Sequence, residues 1–211
     1  MAEQKPTPLS EIAEIFVGLA RHGKGLSPDE SRPTCKLIGL KALQAYGLDF
    51  EAIETVHLAP DFDFSYYQIA REDILLACRA TEMRVVLAPP EVQGMLIDAN
   101  VMAIRCGPRL APQVLAAYLR HPAGKAALEH ASQSTTLQKN LTVKELKRLA
   151  LPIPPREAQT QLVQLLEVAE LQYQLALQAA DKRLQVAQQI VINTLFRGSS
   201  NGAGAPTTAH G

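Results

Sequence analysis

The side chains that could carry acid–base, nucleophilic or metal chemistry do not form a recognisable catalytic set. The histidines lack metal-ligand spacing, the cysteines are far apart with no CxxC pair, and no glycine-rich phosphate loop is present. Asp61 and Asp63 form a lone acidic pair, more simply interpreted as loop charge. We therefore expect a non-catalytic protein with no metal or other cofactor, rather than a nuclease or methyltransferase. The histidines and cysteines are His22, His57, His121, His130, His210, Cys35, Cys78 and Cys106.

Charge is balanced overall but unevenly distributed. The 21 basic and 21 acidic residues give no net positive field, which argues against unaided, non-specific binding of nucleic acid. Between Arg120 and Ala150, however, six basic residues stand against two acidic ones, whereas the stretch from Asp49 to Asp63 is purely acidic. The basic stretch predicts either a surface that faces a polyanion or solvated helix faces that carry lysine.

Short apolar runs indicate the elements that would position any binding residues. A succession of such runs separated by polar turns predicts the strands of a curled mixed β-sheet. After Gly107-Pro108 the pattern changes, and helices are expected from Pro112 to Leu119 and from Pro122 to about Ala131. Thr142-Val143-Lys144-Glu145 has the form of a capping box that opens a short helix. The strand candidates are Cys35 to Leu40, Ile74 to Cys78, Val85 to Leu87, Met95 to Ile97 and Val101 to Ile104.

A long helix follows, from Pro152 to Phe196, with the prolines marking its start and Gly198 its end. It would be roughly 60 Å long, more than a small domain needs. One apolar stripe follows its length with a period of about 3.67 residues, which is close to that of a straight helix. This pattern favours a spacer or dimerising helix over one packed wholly on its own domain. The stripe consists of Leu162, Leu166, Ala169, Tyr173, Leu177, Ala180, Leu184, Ala187, Val191 and Leu195.

The sequence thus predicts an α+β protein with three parts. Residues 1–151 form the domain, 152–198 the long helix and 199–211 a disordered tail. No apolar run is long enough for a membrane span, and Met1 to Pro6 lacks the features of a signal peptide, so we expect a cytoplasmic protein with no membrane partner.

Several segments, in order, resemble specificity (S) subunits of type I restriction-modification systems. The run from Tyr67 to Arg79, with Asp73 before Ile-Leu-Leu-Ala, is similar to a strand of their target-recognition domains. This run and the later matches together cover about residues 8 to 198. The resemblance is strongest from Ser134 to Pro155. Glu72 and Ala80 stand where glycines are common, and Ala158 where a glutamate usually precedes Gln159. The later matches are Asp98 to Arg105, Leu115 to Gly124, Ser134 to Thr142, and Leu149 to Pro155 with Gln159.

The resemblance implies a protein that binds double-stranded DNA and selects the site of methylation and cleavage without doing chemistry itself. Full-length members carry two recognition domains and two long helices that hold the domains apart. This chain has room for one of each, which implies a half-subunit that pairs with its own copy or with another half-subunit. The implied partners are a methyltransferase subunit and, where present, a restriction or translocase subunit.

DNA reading needs hydrogen-bonding side chains near base edges and basic groups near phosphates. Candidates of these types lie in the early loop, around one strand turn, and in the polar loop before the capping box. Each also has a structural interpretation, since Arg79 and Arg84 could pair with Glu82 or Asp73, and the Ser/Thr run could cap turns. One of Tyr66 and Tyr67 could stack on a base. The DNA-binding candidates are Arg21, His22, Lys24, Arg79, Arg84, Ser134, Thr135, Thr136, Gln138, Lys139 and Asn140.

The main alternatives to a specificity subunit are a coiled-coil adaptor that binds only protein and an orphan recognition module without restriction activity. The neutral net charge is the best argument for the adaptor. Salt-dependent binding of duplex DNA separates the adaptor from both DNA-binding interpretations.

Overall fold

Short strands and turns dominate the first hundred residues of the computed structural model, which describes residues 5–22, 24–45, 47–132 and 139–197. The candidates Ser134, Thr135, Thr136 and Gln138, the side chain of Lys139, and the tail from residue 198 lie outside this description. The strands are β1 (Thr7–Pro8), β2 (Ala13–Val17), β3 (Leu26–Ser27), β4 (Thr34–Ile38), β5 (Leu43–Gln44), β6 (Gly47–Leu48), β7 (Glu54–Leu58), β8 (Ile74–Ala77), β9 (Arg79–Ala80), β10 (Val85–Leu87), β11 (Leu96–Ile97), β12 (Val101–Cys106), β13 (Lys139–Asn140) and β14 (Ala150–Leu151).

Helices follow the strand-rich part, close to where the sequence predicts them. The α-helices are α1 (Pro112–Arg120), α2 (Pro122–Ala131), α3 (Val143–Arg148) and α4 (Arg156–Arg197). Single 3₁₀ turns lie at Leu9–Glu11, Leu40–Ala42, Ser65–Tyr67 and Pro90–Val92. The chain is therefore of the α+β class, with a curled mixed sheet and a long helix at the end, as the sequence predicts.

A four-stranded antiparallel sheet with the order β10-β8-β12-β2 forms the centre of the domain. Strand β8 is apolar at every position because both of its faces are buried. Its side chains alternate between two cores, with Ile74 and Leu76 in one and Leu75 and Ala77 in the other. This sheet therefore separates the core beneath the helices from the core beneath the second sheet.

The second sheet has the order β11-β4-β7-β3 and is mixed, since β11 runs parallel to β4 while the other pairs are antiparallel. The amide of Leu19 donates to the carbonyl of Ile97, which joins the end of β2 to β11. Three two-stranded ladders, β1-β14, β13-β9 and β5-β6, complete the pairing among the described residues.

The starts of the short helices follow from local sequence. Prolines occupy the first positions of α1 and α2, where their missing N–H costs nothing. Gly124 allows α2 to lie close to α1, because a Cβ there would collide with the carbonyl oxygen of Tyr118. Helix α3 has the predicted capping box, in which the Thr142 hydroxyl accepts from the Glu145 amide and the Glu145 carboxylate accepts from the Thr142 amide.

Helix α4 begins one residue after Pro155 and is helical through Arg197, the last described residue. Gln159, 7% exposed, holds its first turn in place. The Gln159 Oε1 accepts from the Ala111 amide at 2.7 Å, and its Nε2 donates to the carbonyls of Arg109 and Pro154 at 3.0 and 2.8 Å. Contacts divide the chain into two compact units, Met1–Val163 and Gln164–Gly211. Across the described residues, no helix combines the length and the apolar character needed to cross a membrane.

Candidate nucleic-acid interface

The β9–β13 ladder brings together two of the regions that the sequence singles out. Arg79 lies directly opposite Asn140, and Ala80 lies opposite Lys139. The Arg79 and Asn140 side chains are both exposed. A guanidinium beside an amide offers several donors and one acceptor, the groups that can read guanine or adenine edges in the major groove. The ladder therefore presents these donors and this acceptor on one exposed face.

Arg84, the other arginine of this region, is engaged within the protein. Its Nη1 donates to the carbonyl oxygen of Leu43 at 2.8 Å, and its Nε lies 3.8 Å from the Glu82 carboxylate. Lys125 lies 3.7 Å from the same carboxylate. Arg84 thus pairs with Glu82, one of the two partners that the sequence suggests. Arg79 has no ion pair among the described residues.

The early loop is held by Arg21. Its guanidinium donates to both oxygens of Glu54, at 2.6 and 2.9 Å, and to the buried Asp98 carboxylate at 3.4 Å. The hydrogen bond from Arg21 lowers the pKa of Glu54, and the bond to Glu54 raises the pKa of Arg21. The exposed side chains of His22 and Lys24 follow this anchored residue. Arg21 fixes the loop that presents them.

The turn from Asp98 to Asn100 connects the early loop with the β9–β13 ladder. The Asp98 carboxylate accepts a hydrogen bond from the Arg21 guanidinium and another, at 2.9 Å, from the backbone amide of Asn100. The Asn100 carbonyl accepts from the Cys78 amide, and the Cys78 carbonyl accepts from the Leu141 amide, each at 2.9 Å. A short path of hydrogen bonds therefore links the two sets of candidate residues.

Sequence reasoning did not find the groove beside the early loop. The groove has a volume of about 540 Å³, and Arg21 and His22 line it together with Ser27, Thr55 and His57. The His57 Nδ1 lies 3.2 Å from the carbonyl oxygen of Arg32. Thr55 and His57 come from β7, and no local motif links that strand to the early loop, because the two meet only in the folded chain, through the pairing of β7 with β3 and β4 and the bonds from Arg21 to Glu54.

Asp73, which precedes the Ile-Leu-Leu-Ala run of β8, has a structural role. Asp73, 1% exposed, accepts from Nε and Nη2 of Arg105 at 3.0 and 2.7 Å and from the Ala70 amide at 2.8 Å. Arg105 also lies over the Phe16 ring, 5.4 Å from its centroid. The alternative in which Asp73 pairs with Arg79 or Arg84 is therefore not what the structure shows.

The adjacent tyrosines differ in exposure. Tyr66 is 51% exposed and Tyr67 is half-buried, although the pair lies in a 3₁₀ turn and not in a strand. The Tyr66 ring packs 5.2 Å from Phe16 and 5.3 Å from Tyr67, measured between centroids. Of these two tyrosines, Tyr66 presents the more accessible ring, which could stack on a base.

The cysteines are free, and burial suppresses their reactivity. Burial raises the pKa of Cys78 to about 11 and that of Cys106 to about 12, so both remain protonated near neutral pH. Within the described ranges, no group of three or more His, Cys, Asp or Glu side chains could hold a metal ion.

Helix α4 carries the predicted apolar stripe on its exposed surface. Leu162, Leu184 and Leu195 are 38%, 59% and 64% exposed. Apolar side chains outside the stripe are exposed too, so the apolar surface is broader than the sequence stripe. These further residues are Leu165, Val168, Leu171, Leu175, Val186, Ile190, Ile192 and Phe196.

Comparison of the sequence with protein-family models and with curated proteins gives no match. The fold is nevertheless similar to solved structures. A chain from a structural study of assembly and conformational transition in a type I restriction-modification system has a TM-score of 0.58 and 20% identity, over 92% of this chain and 44% of that chain. The HsdS subunit from Thermoanaerobacter tengcongensis has a TM-score of 0.55 and 19% identity, over 94% of this chain and 46% of that chain. The chain thus spans less than half the length of these structures, and the likeness establishes the fold.

Proposed function

We propose that this protein is a non-catalytic specificity subunit of a type I restriction-modification system, which selects the DNA sequence that partner subunits methylate and cleave. The observation that carries the proposal is the fold likeness over 92% of the chain, in which a recognition-type domain precedes one long helix. The order of segments that resemble S subunits in the sequence supports it independently.

In this proposal the exposed loops of the domain contact duplex DNA. Arg79 and Asn140 read base edges from the β9–β13 ladder, and His22 and Lys24 contact DNA from the early loop. Arg21 and Arg84 hold the segments that present these side chains, as their bonds to Glu54 and Leu43 indicate. The remaining proposed contacts come from the polar loop, namely Ser134, Thr135, Thr136, Gln138 and Lys139.

In the proposed mechanism, the long helix pairs two recognition domains. Its apolar stripe pairs with another long helix, from a copy of this chain or from another recognition module, and the pair sets the distance between two half-sites. Two-fold pairing implies a split, inverted-repeat target. A methyltransferase subunit, and a restriction subunit where the system includes one, associates with the paired chains.

A coiled-coil adaptor that binds only protein is the second candidate. The broad exposed apolar surface of α4 and the neutral net charge favour it. The adaptor differs from the specificity subunit in that it leaves DNA methylation unchanged.

Methylation mapping tests the proposed function. DNA methylation is sequenced in cells that express a type I methyltransferase subunit alone, with this chain, or with the variant Arg79→Ala/Asn140→Ala. We expect methylation at one split sequence only with the unsubstituted chain, and loss or relaxation of that sequence in the variant.

The control replaces two exposed side chains elsewhere in the domain, as Arg71→Ala/Gln93→Ala, and should retain the unsubstituted pattern. Identical methylation with and without the chain would contradict the proposed function.

A further inference from the structure

One face of helix α3 carries three basic side chains that the recognition loops do not include. Lys144, Lys147 and Arg148 are spaced at i, i+3 and i+4, so they lie on the same side of the helix, and all three are exposed. Leu146 is fully buried and anchors the helix to the core. The capping box fixes the start of the helix, so these three side chains extend from a rigid element.

Folding alone does not account for this arrangement. The helix dipole favours Lys147 and Arg148 in the last turn, but it disfavours Lys144 in the first turn. The nearest carboxylate in the helix, Glu145, accepts from the Thr142 amide and hydroxyl at 2.7 and 2.8 Å. Among the described residues none of the three cations has an ion pair. Like charges at this spacing repel one another, and an anionic ligand would relieve the repulsion.

The basic face borders a groove of about 650 Å³. Pro8, Ser10 and Val143 complete its lining, which contains no carboxylate among the described residues. Pairing of β1 with β14, and the bond from the Leu9 amide to the Leu149 carbonyl at 2.8 Å, fix the walls of the groove. The site thus combines three cations and one hydroxyl on a preformed surface.

We propose that this groove binds the phosphodiester backbone of duplex DNA, as a sequence-independent anchor separate from the loops that read bases. The inference rests on the proposed function and deepens it. Flexible cations and a hydroxyl suit phosphate oxygens, and the lining lacks the amide and aromatic groups that distinguish bases. Because the chain has no net charge, such a local basic surface supplies attraction that the whole molecule does not.

Salt-dependent binding tests the anchor. The full chain, with its partner subunits, is titrated with a labelled duplex selected from a random pool and with an unrelated duplex, between 50 and 200 mM salt. The variant Lys144→Gln/Lys147→Gln/Arg148→Gln should weaken binding of both duplexes by the same factor. Its slope of log affinity against log salt should be shallower by roughly 2 to 3.

The control variant Lys41→Gln/Arg71→Gln/Arg109→Gln removes the same charge from exposed positions elsewhere and should retain the unsubstituted slope. An equal loss in the control, an unchanged slope in the α3 variant, or a loss confined to the selected duplex would overturn the anchor while leaving DNA recognition intact. Absence of duplex binding by the unsubstituted complex would overturn both the anchor and the proposed function.

Discussion

Glu72 shows how a single residue departs from what its backbone position favours. It lies in the turn before β8 with φ of 64°, in the left-handed region that glycine adopts most easily. The contacts of its side chain offset little of the cost of this backbone conformation, since the Gln113 amide donates to it at 3.3 Å and Arg71 lies 3.9 Å away. The turn keeps its shape because the adjacent Asp73 is bound by Arg105. Glycine is common at this position in the S subunits that the sequence resembles, and the glutamate found here instead has a strained backbone.

Replacing Glu72 with glycine should therefore stabilise the protein. Removing the Cβ relieves left-handed strain of about 1 to 2 kcal/mol, and the added freedom of glycine in the unfolded chain offsets part of the gain. We expect a net increase of about 0.5 to 1 kcal/mol in the free energy of unfolding, measured by urea denaturation. Glu72→Ala removes the same carboxylate but keeps the Cβ, so it should give no increase. A lower stability for Glu72→Gly would show that the side-chain contacts outweigh the strain.

At the scale of elements, the start of α4 depends on one buried amide. Gln159 joins α4 to the residues just before α1 through two hydrogen bonds to backbone groups, and a third bond goes to the carbonyl of Pro154. Its place after the prolines is visible in the sequence, but its partners at positions 109 and 111 lie about fifty residues earlier and cannot be predicted from local pattern.

Gln159→Ala should lower the free energy of unfolding by about 2 to 4 kcal/mol, because it leaves buried backbone donors and acceptors without partners. Thermal or urea denaturation of the domain measures the change. Gln161→Ala, an exposed glutamine one half-turn further, should change stability by less than about 0.5 kcal/mol. Equal effects at the two positions would mean that the amide has no special role.

Periodicity and capping predicted the elements well because they act locally. Val85–Leu87 has the predicted bounds, α1 and α2 begin at their prolines, and the capping box at Thr142 is present. Pairing between distant segments was not predictable in this way. The opposition of Arg79 and Asn140 depends on the β9–β13 ladder, and the bond from Arg21 to Glu54 spans 33 residues. The candidate site could thus be named by residue type, but its geometry required the fold.

At the scale of the whole molecule, the proposed pairing should depend on the small residues of the α4 stripe. Ala180 and Ala187 are exposed, and they would let a second helix approach closely. Ala180→Glu/Ala187→Glu places two carboxylates in that contact and should abolish association while leaving the domain folded. Sedimentation velocity measures the association, and circular dichroism checks the fold.

The matched control, Gln178→Glu/Gln185→Glu, adds the same charge about a quarter of a turn from the edge of the stripe and should still associate. Association that persists in the alanine variant would refute the role of the stripe.

Within the described part of the chain, sixteen large apolar side chains are exposed, and fourteen of them lie on α4. A surface of this kind is what chaperones and proteases engage in a cell. Under the proposed pairing of α4, we expect chains made in excess of the second helix to be turned over faster than paired ones. The abundance of the proposed partner would then set the steady-state level of this protein.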